Sequence, residues 1–269
     1  MYWVNGVESE TLPINDRSTQ YGDGFFTTMK VNNGEIRLWS FHFERLTSSS
    51  QRLGITPPNW KKIEKQVHTI AEKINNGGIK ILISRGAGGR GYSPKGCNNT
   101  QVIISDFQYP AHYKQWQEEG IELGVSAIKL GLSSPLLVGM KHLNRLEQVL
   151  IKDEISKTVY LDAIVLDLNN HVIETSIGNL FWVKGDRIFT PKLSFSGVEG
   201  VMKKHIGQLA KEFQLELEEV SAALSELENA DEVFITNALF EIVPINAIVN
   251  TEFTQHKFTH RFQEKLYSC

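Results

Sequence analysis

The stretch "GMKHLNRLEQVL", residues 139–150, decides how the rest of the chain is read. Met140, Leu143, Leu146 and Leu150 recur at three- and four-residue steps, which predicts the apolar stripe of a helix opened at Gly139. In such a helix Lys141 and Arg145 share a face, where like charges cost roughly 0.2–0.5 kcal/mol, and His142 adds a third potential cation. Glu147 is the nearby internal counter-charge. An amine crowded by cations at a positively polarised helix entrance is pushed toward its neutral form, and a neutral lysine is a nucleophile and a base. The competing reading is a solvated lysine at a helix start.

Working outward toward the N-terminus, "FFTTMKVNNGEIRL" predicts a hairpin, two β-rich runs around an Asn-Gly turn that supplies positive φ angles. Helices are expected over residues 41–53, with Phe41, Leu46 and Leu53 facing inward, and over 59–74, opened after Pro57-Pro58. Strands follow in "IKILISR" and "QVIISDF", joined by "GAGGRGYSPKGCNNT". Residues 108–120 lose β character and are taken as a linker between a smaller domain, 1–107, and a larger one, 121–269. Beyond it come "IELGVSAIKL", a meander with Asn-Asn and Gly-Asp turns, a helix near 200–213, the strand "LELEEV" and "DEVFITNALFEIVPI". The layout is α+β in both parts, without internal repeats.

Composition removes several function classes. With 28 basic and 31 acidic side chains the net charge is −3, which gives a nucleic acid nothing to hold. No apolar run approaches the roughly 18 residues a membrane helix needs, so a soluble, cytoplasmic protein is expected. Two cysteines, Cys97 and Cys269, make neither a disulfide framework nor a metal site, and no metal is expected.

Each candidate motif has a plain alternative. Gly86, Gly88 and Gly91 spell G-x-G-x-x-G after a strand, but "YSPKGCNN" opens no helix, so a flexible loop is the reading, with Arg85 and Arg90 placed to grip anions. Glu174 in "VIETSIGNLFWV" faces either solvent or the core, and in the core it needs a cationic or N–H partner. Ser196 and Glu199 fit a capping box, which competes with an open helix start presenting the Val201 and Met202 N–H groups to an anion. Arg45 in "HFERL" is a surface arginine or a phosphate clamp.

Taken in order, "FHFERL", "KHLNRLEQVL", "ETSIGNLF", "GVEGVMKK" and "DEVFITNALFEIVPI" resemble the fold-type IV pyridoxal phosphate family, the branched-chain and D-amino-acid aminotransferase group. Within it "DRSTQYGDGFFTT", "ISRGAGGRGYS", "YPAHY" and "KHLNRLEQVL" resemble the branch whose members cleave 4-amino-4-deoxychorismate to 4-aminobenzoate and pyruvate for folate synthesis. The resemblance spans essentially the whole chain. It implies a two-domain α+β enzyme, a homodimer, acting on a small molecule with pyridoxal 5'-phosphate.

The resemblance also implies roles. Lys141 matches the lysine that binds the cofactor covalently and acts as the base, Glu174 the carboxylate at the pyridine nitrogen, and Arg45 the phosphate arginine. The backbone N–H groups of Val201, Met202, Asn237 and Ala238 match further phosphate donors, which favours the open helix start. Arg85, Arg90, His142 and Arg145 are the cations available for the substrate's carboxylates. Where transaminases commonly carry "GITR" and "SGTA" this chain has "GVMK" and "TNAL", so a threonine hydroxyl is missing at both places. A D-amino-acid or branched-chain aminotransferase is the runner-up expectation, and a cofactor-free interaction protein on the same scaffold is the alternative from another class.

Overall fold

A computed structural model describes residues 1–267. The chain divides into two compact units, one made of Met1–Pro110 with Met140–Asn144, the other of Ala111–Gly139 with Arg145–Cys269.

The first unit runs β1 (Tyr2–Val4), β2 (Val7–Glu8), α1 (Arg17–Tyr21), β3 (Gly24–Asn32), β4 (Glu35–Ile36), α2 (Trp39–Leu53), α3 (Trp60–Ile74), β5 (Gly77–Ser84) and β6 (Gln101–Phe107). Its antiparallel sheet has the order β2-β1-β6-β5-β3-β4. The β3–β4 hairpin pairs Asn32 with Glu35, leaving Asn33 (φ 51°) and Gly34 (φ 79°) as the turn, the two positive φ angles that the Asn-Gly signal predicts. Period-two alternation buries Phe25, Thr27, Met29 and Val31 on one face of β3. In α3 the inward residues Ile63, Val67, Ile70 and Ala71 keep helical spacing, and Asn59 caps the helix by accepting from the Lys62 N–H. Residues of both elements join one core with Leu46 of α2 and Ile79, Ile81 and Ile83 of β5.

The second unit continues with α4 (His112–Glu119), β7 (Ile121–Val125), α5 (Leu146–Ile155), β8 (Asp162–Leu166), β9 (Val172–Thr175), β10 (Asn179–Lys184), β11 (Arg187–Pro191), α6 (Val201–Glu212), β12 (Glu216–Val220), α7 (Leu224–Glu228), β13 (Glu232–Asn237), β14 (Glu241–Ile248), β15 (Thr251–Glu252) and α8 (Lys257–Tyr267). Its sheet has the order β12-β11-β10-β13-β14-β7-β8-β9, with β15 on β14. Most pairs are antiparallel, but β14–β7, β7–β8 and β11–β12 are parallel, as an α+β chain allows.

Two expectations change. The helix predicted from Gly139 begins only at Leu146. Gly139 has φ 73°, and the backbone after it is claimed by β3: Phe26 N–H donates to the Lys141 carbonyl (3.0 Å) and Leu143 N–H to the Gly24 carbonyl (3.0 Å). A side chain at Gly24 would place its Cβ 2.2 Å from the Ile83 carbonyl and 2.8 Å from Leu143, so glycine is what lets the segment lie against β3. The apolar periodicity therefore joined two unrelated runs. Residues 108–120, expected as a linker, hold α4, whose Trp116 packs in the second unit's core beside Phe240. Apart from the buried Gln117, its polar residues are largely the solvent face of an amphipathic helix, which reads like linker composition.

Candidate active site

In the first unit, Lys141 is fixed by its own carbonyl to β3, and its Nζ lies 4.7 Å from the centroid of the Phe26 ring. His142 forms an isolated bridge with Phe25, while Arg45 is half-buried on α2. Between these cations lies a residue with no role in the sequence reading. His42 is fully buried one turn before Arg45, with Nδ1 2.6 Å from the Thr27 hydroxyl. Burial drives its pKa well below the usual imidazole value, and the charges of Arg45 and Lys141 push the same way. A neutral imidazole thus borders both the lysine and the arginine. The signal was present in the sequence: His42 and Leu46 share an inward stripe, and a histidine there needs a polar partner.

The glycine loop joins β5 to β6 without a helix, as expected, but the two arginines that flank it differ. Arg90 is exposed. Arg85 is spent on structure: Nε donates to Asp23 Oδ2 (2.7 Å), and its two terminal nitrogens donate to the Gly54 (2.9 Å) and Leu53 (2.8 Å) carbonyls. Three of the five N–H groups of its guanidinium are thus engaged within the protein. Asp23 also accepts from Arg17 Nε at 2.7 Å. Burial works against the charged carboxylate, but the hydrogen bonds and charges of Arg85 and Arg17 prevail and hold its pKa below the ordinary value.

A pH dependence follows from that depressed pKa. The stabilisation from Asp23 is complete above the unfolded aspartate pKa of about 3.9 and is lost as pH falls through the lower, folded value. Asp23→Asn should therefore lower the urea midpoint by a constant amount between about pH 5 and 7, and that deficit should shrink below about pH 4. A deficit that does not change across this range would remove Asp23 as the responsible group.

In the second unit, Glu174 faces inward. It is 6% exposed, and Oε2 accepts from the Val198 N–H at 2.9 Å. Arg145, the N-cap residue of α5, is its cationic neighbour. Burial lowers the Arg145 pKa while Glu174 and then Glu147 raise it. Arg145 thus stands within electrostatic reach of this carboxylate, as expected where burial of one charge calls for an opposite one.

The start of α6 is open. Its N-cap is Gly200, and no side chain caps it, so the Ser196–Glu199 box does not form. Ser196 is buried instead, with a hydroxyl that has no hydrogen-bond partner among the described residues. The Asn179 side chain stands against the helix start: its Nδ2 donates to the Val198 carbonyl (2.8 Å), and a Cβ on Gly200 would lie 2.0 Å from its Oδ1. Asn179 pairs in register with Thr236, whose hydroxyl is buried without a hydrogen-bond partner among the described residues. Next to it, Asn237 Oδ1 accepts from the N–H groups of Leu239 and Phe240, both at 2.8 Å, which curls the turn after β13. An uncapped helix start, a glycine whose place no side chain could take and an orphaned hydroxyl make a fitting seat for a phosphate. The buried carboxylate beside a cation suits a protonated ring nitrogen. The donor set therefore fits pyridoxal phosphate. No cluster of metal-ligating side chains occurs among the described residues.

Known proteins carry the same scaffold. The family model for class IV aminotransferases matches residues 24–248. An aminodeoxychorismate lyase of Vibrio harveyi is 44% identical over 270 residues, covering 99% of each chain. Among solved structures, the 4-amino-4-deoxychorismate lyase from Pseudomonas aeruginosa superposes with a TM-score of 0.94 at 32% identity, over 100% of this chain and 98% of that one. The branched-chain amino acid aminotransferase from Escherichia coli gives 0.85 at 26% identity, over 99% and 92%. A lysine segment pinned to β3, a buried carboxylate on β9 and an uncapped α6 are thus set on a shared two-domain α+β fold of type IV, and the chain belongs to the class IV aminotransferase family.

Proposed function

We propose that the protein is a pyridoxal phosphate-dependent lyase that converts 4-amino-4-deoxychorismate to 4-aminobenzoate and pyruvate in folate synthesis. The observation that carries this reading is the end-to-end identity of 44% with a lyase, in a chain that keeps Lys141, Glu174 and Arg45. Lys141 holds the cofactor, Glu174 meets its ring nitrogen, and Arg45 with the N–H groups of Val201, Met202, Asn237 and Ala238 holds its phosphate. When bound, pyridoxal phosphate supplies an electron sink for charge that develops at the substrate carbon bearing nitrogen.

The chain's own residues do the rest. Lys141 takes the proton from that carbon, and as the six-membered ring becomes aromatic the enolpyruvyl ether departs. The lysine then returns a proton to the released fragment's terminal carbon, which gives pyruvate. A positioned base of this kind contributes about 100- to 10,000-fold. His42, neutral and buried, keeps polar company for Thr27 without adding a third positive charge beside Lys141 and Arg45. Arg90 and His142 grip the substrate's carboxylates, and Arg145 balances Glu174.

The test is direct. Protein loaded with pyridoxal phosphate and given chorismate, glutamine and an aminodeoxychorismate synthase should release fluorescent 4-aminobenzoate. Consumption of the aminated substrate at the rate of an enzyme-free control would defeat the reading. An aminotransferase would instead turn over an amino donor with a 2-oxo acid.

The protein works as a cytoplasmic homodimer. In support, α5 turns Leu146 (70% exposed), Val149 (61%) and Leu150 (48%) to solvent, and Gly131 N–H, bound to Glu147 at 2.9 Å, brings the exposed Leu132 to the same helix. Contiguous apolar surface of this kind marks an interaction site. No helix among the described residues is long and apolar enough to cross a membrane. Val149→Glu should shift the sedimentation coefficient from dimer to monomer at micromolar concentration; a dimer of unchanged affinity would place the interface elsewhere.

A further inference from the structure

Glycine-rich loops are costly to order, because glycine loses more backbone freedom on folding than any other residue. The loop between β5 and β6 has few internal ties, among them Ser93 N–H to the Arg90 carbonyl (3.3 Å) and Cys97 N–H to the Pro94 carbonyl (3.1 Å). Its tip is nevertheless drawn onto one side chain. Arg17, in α1, is only 4% exposed, and its guanidinium donates to three consecutive carbonyls: Gly91 (3.0 Å) and Ser93 (3.3 Å) from one nitrogen, Tyr92 (3.1 Å) from the other.

The fit is specific to the fork of an arginine. Nε is turned to Asp23, so the planar group is oriented from behind, and the Tyr21 ring lies 4.8 Å from its central carbon. Tyr21 in turn packs on Tyr92 with ring centroids 5.4 Å apart. Gly89 (φ 71°) makes room: a Cβ there would lie 2.1 Å from the Ser93 carbonyl and 3.2 Å from the guanidinium. A point charge such as lysine could keep Asp23 company but could not hold three carbonyls and a carboxylate in one plane. Arg90, immediately before the held carbonyls, is exposed.

We propose that Arg17 is a positioning residue for substrate binding: it clamps the loop tip at Gly91, Tyr92 and Ser93 and so presents Arg90 to a carboxylate of the substrate. The proposal rests on the reading of Arg90 as a carboxylate grip. Arg17 takes no part in the chemistry and bears on KM rather than kcat.

Arg17→Met, Arg17→Lys, Arg90→Ala and the Arg17→Met/Arg90→Ala double variant are compared with the parent as loaded, full-length protein. Tryptic cleavage after Arg90 in native protein should rise about tenfold in both Arg17 variants, since a freed loop offers its backbone to the protease. That readout is independent of what the enzyme catalyses, so it separates failure of the clamp from failure of the lyase assignment. KM for the aminated chorismate should rise about tenfold in Arg17→Met and in Arg90→Ala, with kcat within about twofold and cofactor absorbance kept. The double variant should be no worse than either single one, because both remove the same interaction. Multiplying KM effects, or parental cleavage rates in the Arg17 variants, would overturn the proposal. If Arg17→Met does not fold, Arg17→Lys, which retains the charge opposite Asp23, carries the same test.

Discussion

Lys141→Ala should give a folded protein that no longer takes on visible absorbance when mixed with pyridoxal phosphate, and that releases 4-aminobenzoate about 100- to 10,000-fold more slowly than the parent. The fold should survive because the attachment of this segment to β3 runs through main-chain groups. The Lys141 carbonyl accepts from Phe26 and the Leu143 N–H donates to Gly24, and neither bond uses the amine. The side chain's contact with the Phe26 ring is a cation–π interaction worth about 0.5–1 kcal/mol at a partly exposed site. A urea midpoint close to the parent's, together with a colourless sample, is the expected pair of results. Parental absorbance in the variant would show that another amine carries the cofactor. The same substitution should raise the pKa of His42, since one of the two positive charges that depress it is gone, while burial, the larger cause, remains. A one-dimensional proton spectrum of the buried imidazole reads that shift.

Much of the scaffold was legible because its signals are local. The Asn33-Gly34 hairpin, the Asn59-capped α3 and the β5 and β6 runs each encode their structure within a dozen residues, through positive φ preference, side-chain capping and apolar spacing. The failures share another physical character. Residues 139–150 satisfy a helical period, yet the first half is extended because Gly24 and Phe26, more than a hundred positions earlier, supply hydrogen bonds that outbid an intrahelical set. Nothing in a short window records that. Arg85 carries the right charge next to a promising loop, but three of its donors are engaged by Asp23 and by the carbonyls that end α2, contacts visible only once chain segments far apart meet.

The site residues divide along the same line. Lys141, Glu174 and Arg45 were singled out by motif order, whereas Arg17, His42 and Asn179 were given no role. Each of the missed residues works through a neighbour. Arg17 holds loop carbonyls as well as Asp23, His42 holds a threonine hydroxyl, and Asn179 braces the entry to α6, so most of their partners are backbone or uncharged groups with no sequence signature. Asn179 shows the consequence most plainly. Its Oδ1 lies where a Cβ on Gly200 would be, so the missing threonine of the "GVMK" segment is set against an uncapped, glycine-started helix rather than a replacement hydroxyl. Such a start offers backbone donors, the groups by which helix N-termini bind anions generally.

Glu174→Gln should separate the chemical role of the buried carboxylate from its structural one. The amide keeps an oxygen for the Val198 N–H, so the 2.9 Å bond is preserved. What disappears is the negative charge. A carboxylate about 4 Å from a positive nitrogen stabilises it by about 4 kcal/mol at an effective dielectric near 20. Because the parent also bears a desolvation cost for that charge, the net loss in kcat is expected at about 100- to 1,000-fold, or roughly 3–4 kcal/mol. Arg145 loses a counter-charge at the same time but keeps Glu147, so stability should fall by only about 1–2 kcal/mol. Glu174→Ala is the contrasting variant. It leaves the Val198 N–H unsatisfied, which adds about 1–3 kcal/mol of destabilisation, without slowing turnover further than the amide does. Rates from single-turnover release of 4-aminobenzoate, set beside urea midpoints for both variants, decide the matter. Near-parental kcat in a stable Glu174→Gln protein would mean that this carboxylate supports the strand and not the reaction.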